Sequence, residues 1–292
     1  PAKIGPVSAG GFGYLGFARN GNQETMGVDM LTGAAEHVII LPRRTYLPLW
    51  TGLATGAFFL GLLFKLYWIV PLAALAVIVL FFFWSSSLGA RRDMGPIDVG
   101  RGEAAPVDGE VKDNVTWWAS IFAAAADATL YASLLFGALY LAVVAPGWAQ
   151  AAPGLDWPPA LAIPSALAAS ILARRASAHN AAGRAPFACL LGAAGLSVLT
   201  ALFCILGMLL LGDATAHANL ALRFALYCYC AIHAGIAMLI ALHASWRWVG
   251  GYVSTVRATD LRLSVLWTDY AAVALLPAWA LLLLLAGAGG TI

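Results

Sequence analysis

Residues 115–143, VTWWASIFAAAADATLYASLLFGALYLAV, decide the fold class. The stretch is longer than the roughly 20 apolar residues that an α-helix needs to cross the hydrocarbon core of a bilayer. Asp127 is its only charged residue, and an aspartate inside such a segment costs about 2.5–3.5 kcal/mol on insertion scales. The stretch therefore predicts a transmembrane helix that keeps one carboxylate for a structural or functional reason.

The composition of the whole chain favours the same class. Of its 292 residues, 62% are hydrophobic and 10% are charged, whereas a soluble domain carries about 25% charged residues. We therefore predict an all-α integral membrane protein. The formal net charge of +2 is too small to favour nucleic-acid binding. The cysteines lie in apolar segments, and we interpret them as small apolar side chains: Cys189, Cys204, Cys228 and Cys230.

Seven apolar segments follow a polar, glycine-rich N-terminal region. Most approach or exceed the length that spans a bilayer. They cover residues 46–64, 67–88, 116–145, 157–173, 186–211, 220–245 and 264–288. The fourth is the shortest, and Pro164 within it predicts a kink. We predict seven transmembrane helices, arranged 2 + 5 as a two-helix unit over 46–88 and a five-helix domain over 116–292.

Lys and Arg are distributed unevenly between the connecting segments. Of the 16 basic residues, all but Lys65 and Arg223 lie in the N-terminal tail or after the second, fourth and sixth helices. Because cytoplasmic loops carry an excess of Lys and Arg, we predict a cytoplasmic N-terminus and a periplasmic C-terminus. Residues 1–45 are then a cytoplasmic polar tail without regular structure, and residues 89–115 are a cytoplasmic, solvated linker of mixed charge.

Two ionisable residues lie at similar predicted depth in different helices. Asp127 is about eleven residues from the cytoplasmic end of the third helix, which places it near mid-membrane. His233 is about thirteen residues from the cytoplasmic end of the sixth helix. An intramembrane acid should face protein or water and have a partner, so we predict an intramembrane polar pair of Asp127 and His233. A lone histidine in an apolar helix is also often a structural hydrogen-bonder, and that alternative stays open.

The cytoplasmic end of the sixth helix carries Trp246 and Arg247. Interfacial Trp and Arg are ordinary membrane anchors, but the pair also suits a lipid phosphate, so both are candidate lipid-binding residues. Asp269 lies about five residues into the seventh predicted helix, where the helix dipole favours a carboxylate. The sequence has no CxxC, P-loop, GxSxG or HExxH motif and no histidine cluster with haem or copper spacing. We therefore expect no catalytic residues and no metal site in this chain.

The order of these segments resembles subunit III of haem–copper cytochrome c oxidases. The 115–143 stretch is similar to that family's third helix, which has a Trp pair before one acid. LYCYCAIHAGIAMLIALHASWR (226–247) is similar to its sixth, with a mid-span His and a later Arg. DLRLSVLWTDYAAV (260–273) resembles the start of the seventh helix, and SALAASILARRASAHNAAGR (165–184) resembles the end of the fourth.

The N-terminal part resembles a junction between two subunits. MGVDMLTGAAEHVIILPRRTYLPLWTGLATGAFFLGLLF (26–64) is similar to the segment that follows the catalytic core in chains where subunit III is fused to subunit I. The chain thus resembles the C-terminal, subunit-III-like portion of such a fusion, and the tail over 1–45 resembles the end of subunit I.

The resemblance implies a subunit without redox centres. In this family, haem and copper lie in subunits I and II, while subunit III packs on subunit I, binds phospholipid and supports proton uptake and stability. It implies no cofactor in this chain, with oxidase subunits I and II and membrane phospholipids as partners. The implied location is the bacterial inner membrane, with several passes. Asp127 stands where the family has an intramembrane Glu, His233 on its helix-six His, and Arg247 on a lipid-contacting Arg.

The role of Asp127 and the function class each have an alternative. Asp127 either stabilises helix packing or titrates during proton uptake, and we favour packing because one carboxyl is a poor proton path. A small multipass transporter or permease also carries intramembrane acid–His pairs, although it predicts repeats and broken helices. An enzyme acting alone needs a catalytic set, so catalysis is expected only of an assembled oxidase.

Overall fold

The computed structural model describes residues 24–41, 45–100, 102–148 and 157–287, and α-helices make up most of them. The helices are α1 (Leu47–Leu63), α2 (Ile69–Ser86), α3 (Val115–Val144), α4 (Trp157–Ala181), α5 (Phe187–Leu210), α6 (Ala218–Val249) and α7 (Thr259–Gly287). Five of them, α2, α3, α5, α6 and α7, are long and apolar enough to cross a membrane. The described chain is therefore a multipass helical membrane protein. α1 is apolar but shorter, with 17 residues.

α4 departs most from its predicted bounds. The sequence predicts the shortest helix at 157–173, but the helix continues to Ala181 and includes Arg174 and Arg175. It continues because alanines three and four residues apart form a buried stripe, which lets neighbouring helices approach closely. The stripe consists of Ala162, Ala166, Ala169, Ala173 and Ala176. α4 is buried on this face, but its prolines and Arg174 and Arg175 lower its hydropathy, and it is not one of the five apolar spans.

α6 and α7 begin earlier than predicted, and α6 also ends later. α6 starts at Ala218 and reaches Val249, and α7 starts at Thr259. Arg223, near the start of α6, is only 2% exposed. Its Nε donates a hydrogen bond of 2.8 Å to Asn219 Oδ1, one turn earlier on α6.

The described residues within 115–248 and 253–292 form one compact unit. Within its described part, α4 packs on α5 and α7, and α3 packs on α7. α4 and α5 lie close together: Ser165 Oγ is 2.8 Å from Thr200 Oγ1. A Cβ atom added to Gly192 would lie 2.7 Å from the Leu172 side chain. Small residues and paired hydroxyls are the usual means by which membrane helices pack.

The other unit, formed by the described residues within 1–114 and by 249–252, contains α1, α2 and two short β-hairpins. β1 (Glu24–Val28) pairs antiparallel with β2 (Ala35–Ile40). β3 (Ile97–Gly100) pairs antiparallel with β4 (Glu103–Ala105). The Val38 N–H donates a hydrogen bond of 2.8 Å to the Pro106 carbonyl, which joins the two hairpins.

These hairpins correct two expectations from the sequence. The described parts of the tail (1–45) and of the linker (89–115) are not simply irregular and solvated, because strands from both share a small apolar core. Val38, Val99 and Ala105 are its buried residues. Strands this short carry too little alternation to stand out beside glycine and charged residues. The glycine-rich stretch 10–23 lies outside the described residues.

Candidate functional site

Asp127 lies on the packed face of α3. It follows the start of the helix by twelve residues, about 18 Å along the axis, and its side chain is 25% exposed. Ala124, one turn before it, and Tyr131, one turn after it, are both buried. Residues three and four positions apart share a helix face, so the carboxylate points the same way as these two side chains.

One oxygen of Asp127, Oδ2, is contacted by three polar groups from two other helices. The Tyr229 hydroxyl on α6 donates a hydrogen bond to it. The Tyr270 hydroxyl on α7 donates another, of 2.6 Å. His233 Nε2 on α6 lies 2.9 Å away. The structure thus brings the two residues of the predicted pair into contact and joins α3, α6 and α7 at one atom.

The contacts of the second ring nitrogen of His233 determine where the protons of this pair lie. His233 Nδ1 lies 2.8 Å from the Tyr229 carbonyl oxygen. A backbone carbonyl only accepts hydrogen bonds, so Nδ1 carries a proton and donates. The contact between Nε2 and Asp127 then needs one further proton, carried by either partner. The Asp127–His233 pair is neutral overall in both arrangements and holds one shared proton.

Aromatic rings enclose the contact. The Tyr131 ring stacks on the Tyr229 ring, with centroids 4.8 Å apart and an interplanar angle of 18°. The Tyr131 hydroxyl donates a hydrogen bond to the Ala274 carbonyl on α7. The Tyr229 ring lies 4.0 Å from the His233 ring. We call Asp127, Tyr131, Tyr229, His233 and Tyr270 the Asp127 cluster.

Three members of the Asp127 cluster were missed from the sequence. Tyr229 stands four residues before His233, and Tyr131 stands four residues after Asp127. Side chains at that spacing neighbour each other on a helix, so the sequence predicts Tyr229 beside His233 and Tyr131 beside Asp127. The sequence does not predict the contact of Tyr270, because only the packing of α7 against α3 brings it to Asp127.

The predicted lipid-binding residues lie far from the Asp127 cluster along α6. Arg247 is fourteen residues after His233, about 21 Å along the helix. Its Nε donates a hydrogen bond of 2.9 Å to Asp260 Oδ2, in the first turn of α7. His243 Nδ1 lies 3.9 Å from the other oxygen of Asp260. Trp246 is 54% exposed.

Asp269 does not occupy the helix N-terminus that the sequence predicted. Because α7 begins at Thr259, Asp260 is the acid of its first turn, and Asp269 lies ten residues into the helix. Asp269 instead accepts hydrogen bonds from Ser170 Oγ and Arg174 Nη2, both on α4. It is a side-to-side link between α4 and α7, and Arg174, predicted in a loop, is its cation.

The Asp127 cluster can hold a proton and link three helices. Across the described ranges, no three His, Cys, Asp or Glu side chains are grouped so as to hold a metal ion. Neither protein-family models nor curated proteins match the sequence.

Proposed function

We propose that the chain is a non-redox, subunit-III-like component of a proton-pumping cytochrome c oxidase in aerobic respiration. In this proposal it lies in the bacterial inner membrane and packs on oxidase subunits I and II, which hold the haem and copper. It supports the stability of the complex, the binding of phospholipid and the uptake of protons. The chain supplies no catalytic residue of its own, so the oxidoreductase and proton-translocating activity belongs to the complex.

One observation carries the proposal: the contact between Asp127 and His233. The resemblance expects an acid on the third apolar segment and a histidine on the sixth, and these two residues lie 2.9 Å apart. They are more than a hundred residues apart in the chain, so local sequence does not bring them together. Intramembrane ionisable residues are rare, and they usually pair within the helix bundle.

The proposed topology has all seven helices crossing the membrane, with a cytoplasmic N-terminus and a 2 + 5 arrangement. The five apolar spans support it in part. α4, with 25 residues, is about 37 Å long and exceeds the hydrocarbon core of about 30 Å. Its lower hydropathy comes from the prolines of its first half and from Arg174 and Arg175 in its second half. In the same proposal, Trp246 and Arg247 contact phospholipid at the cytoplasmic surface.

Within the oxidase, we assign the Asp127 cluster a supporting role. Hydroxyls and an imidazole from two helices, α6 and α7, satisfy the carboxylate on α3, which suits a group that fixes helix packing. A proton path needs a series of polar groups leading to and from the acid. The hydroxyl of Tyr131 instead donates its hydrogen bond to the Ala274 carbonyl.

Co-purification tests the assignment to an oxidase. An affinity-tagged chain is isolated from its native membranes in a mild detergent, and haem and copper are measured per chain. We expect both metals in a fixed ratio to the chain, together with oxidase activity. If the chain purified from respiring membranes contains neither haem nor copper, the assignment is contradicted.

Two substitutions then separate packing from titration. In the assembled oxidase, Asp127→Asn keeps an oxygen for the tyrosine hydroxyls but cannot exchange a carboxyl proton, whereas Asp127→Ala removes both functions. We expect Asp127→Asn to retain turnover and proton uptake and Asp127→Ala to lose stability. Asp269→Asn is the matched control, since it changes a carboxylate of the same helical unit outside the cluster. Loss of proton uptake in Asp127→Asn alone would assign the titrating role.

The shared proton also favours a second candidate, a proton-coupled transporter or permease. Acid–histidine contacts inside membranes mark proton relays in such proteins. The purified chain, without partner subunits, is reconstituted in liposomes under an imposed pH gradient. Proton flux that is present in the unmodified chain and lost in Asp127→Asn would favour the transporter. Proton flux no greater than that of liposomes without protein would exclude it.

A further inference from the structure

The turn between α4 and α5 holds a cysteine and a histidine in contact. Cys189 Sγ lies 3.9 Å from His179 Nδ1. The turn that sets this spacing is well defined: the Arg184 N–H donates a hydrogen bond of 2.8 Å to the His179 carbonyl. Gly183 adopts a φ of 68°, as is usual for glycine at the end of a helix. The histidine is therefore held at the last turn of α4, beside the first turn of α5.

Cys189 differs from the other three cysteines in its surroundings. It is the third residue of α5, and reactive thiols are found at helix N-termini and beside histidine. It is half-buried, whereas Cys204 and Cys230 are buried. Cys189 also packs against a small apolar core that includes Leu190 and Ala244, so its sulfur is positioned by the fold and is still reachable from outside.

We infer that Cys189 and His179 form a nucleophilic thiol site for covalent modification by small, uncharged, soft electrophiles such as activated alkenes. The sulfur attacks the alkene carbon, forming an S–C bond as the C=C π bond breaks. His179 takes the thiol proton and returns it to the neighbouring carbon, so that thiol and alkene combine without a leaving group. Such nucleophile–base pairs are often loose before the reactant binds. The inference does not depend on the proposed oxidase function.

Alkylation of the intact protein by N-ethylmaleimide tests the site. The full chain in detergent is treated for increasing times, and the modified fraction at each cysteine is measured by mass spectrometry. Cys228 is the internal comparison, because it is half-buried like Cys189. We expect Cys189 to react at least about tenfold faster than Cys228, and His179→Gln to slow Cys189 by about tenfold or more, as loss of a general base does.

The controls separate an assisted thiol from one that is merely accessible. His217→Gln removes another half-buried histidine, one that contacts the Pro146 carbonyl, and should leave the Cys189 rate unchanged. His179→Asn serves if the Gln variant does not fold. Equal rates at Cys189 and Cys228 in the unmodified protein would overturn the inference without any variant. A Cys189 rate that is the same with and without His179 would also overturn it.

Discussion

Asp127 and Asp269 are two carboxylates of the same helical unit, and their charges are balanced by different means. Asp269 bonds to Arg174, whose side chain is 63% exposed, and to Ser170. Asp127 bonds to two tyrosine hydroxyls and lies against His233. A fixed cation at a half-exposed edge compensates Asp269, whereas neutral donors and a shared proton compensate Asp127.

The difference separates a structural link from a candidate functional site. Arginine stays charged at any ordinary pH, so the pair of Asp269 with Arg174 has a single charge state. The pair of Asp127 with His233 stays neutral whichever partner carries the shared proton, so a proton can move within it without leaving an unpaired ion. If Asp127 has a role beyond packing, this proton arrangement is its physical basis.

Asp127→Ala should have the largest effect of any change to these two sites. It leaves the Tyr229 and Tyr270 hydroxyls and His233 without their acceptor, and an unsatisfied buried donor costs about 1–3 kcal/mol. We expect the free energy of unfolding in detergent to fall by about 3 kcal/mol, measured as a lower apparent Tm. Asp127→Asn should lose only about 1 kcal/mol, because the amide oxygen still accepts. Equal losses in both variants would show that the hydroxyls do not depend on this oxygen.

Tyr229→Phe should rank next. The hydroxyl of Tyr229 bonds to Asp127 and lies 2.8 Å from the Tyr270 hydroxyl, while phenylalanine keeps the stacking on Tyr131. We expect a loss of about 1–2 kcal/mol in unfolding free energy. Tyr270→Phe should cost no more than Tyr229→Phe. Tyr140 is an exposed residue of α3, so Tyr140→Phe is the control. A loss of similar size in Tyr140→Phe would show that the effect of Tyr229→Phe does not come from its hydrogen bonds.

Arg174→Ala should have a smaller effect, and one that depends on salt. Ion pairs between exposed groups contribute about 0–1 kcal/mol, and added salt screens them. We expect the difference in Tm between Arg174→Ala and the unmodified protein to shrink as salt concentration rises. The difference caused by Asp127→Asn should stay constant over the same range. A salt-dependent effect at both sites would show that Asp127, like Asp269, depends on a charge interaction that added salt screens.

The multipass helical fold follows from local sequence, whereas the neighbours of Asp127 do not. Membrane spans are encoded by uninterrupted apolar runs, so the 115–143 stretch was sufficient to predict α3. A single acid in such a run is conspicuous for the same reason. Its partners Tyr229 and Tyr270 are separated from it by 102 and 143 residues. Only helix packing brings them together, and no spacing in the sequence encodes that.

α4 and the β-hairpins were mispredicted for a related reason. In α4 the buried face is alanine and the other face carries Arg174 and Arg175, so average hydropathy ends the helix too early. In the hairpins, strands of three to six residues owe their stability to pairing between segments far apart in the chain. The Val38–Pro106 hydrogen bond joins two regions that appear independent in the sequence.

A third carboxylate, Asp29, extends the comparison to a site outside the predicted spans. It lies in the turn between β1 and β2, where Oδ1 accepts hydrogen bonds from the backbone N–H groups of Thr32, at 2.6 Å, and of Leu31, at 2.8 Å. The Thr32 hydroxyl donates a third, of 2.9 Å. These bonds, that from the Thr32 backbone above all, hold the pKa of Asp29 below its ordinary value of 3.8.

The turn at Asp29 should loosen in acid, and this is the smallest of the four predicted effects on stability. Because the folded-state pKa is depressed, the stabilisation is present above pH 3.8 and is lost as pH falls through the lower, folded value. We expect protection of the Leu31 and Thr32 amides from hydrogen exchange to fall as pH drops below 3.8. Asp29→Asn keeps an acceptor that does not titrate in this range, so its protection should be independent of pH. An equal fall in Asp29→Asn would assign the effect to acid unfolding of the whole unit.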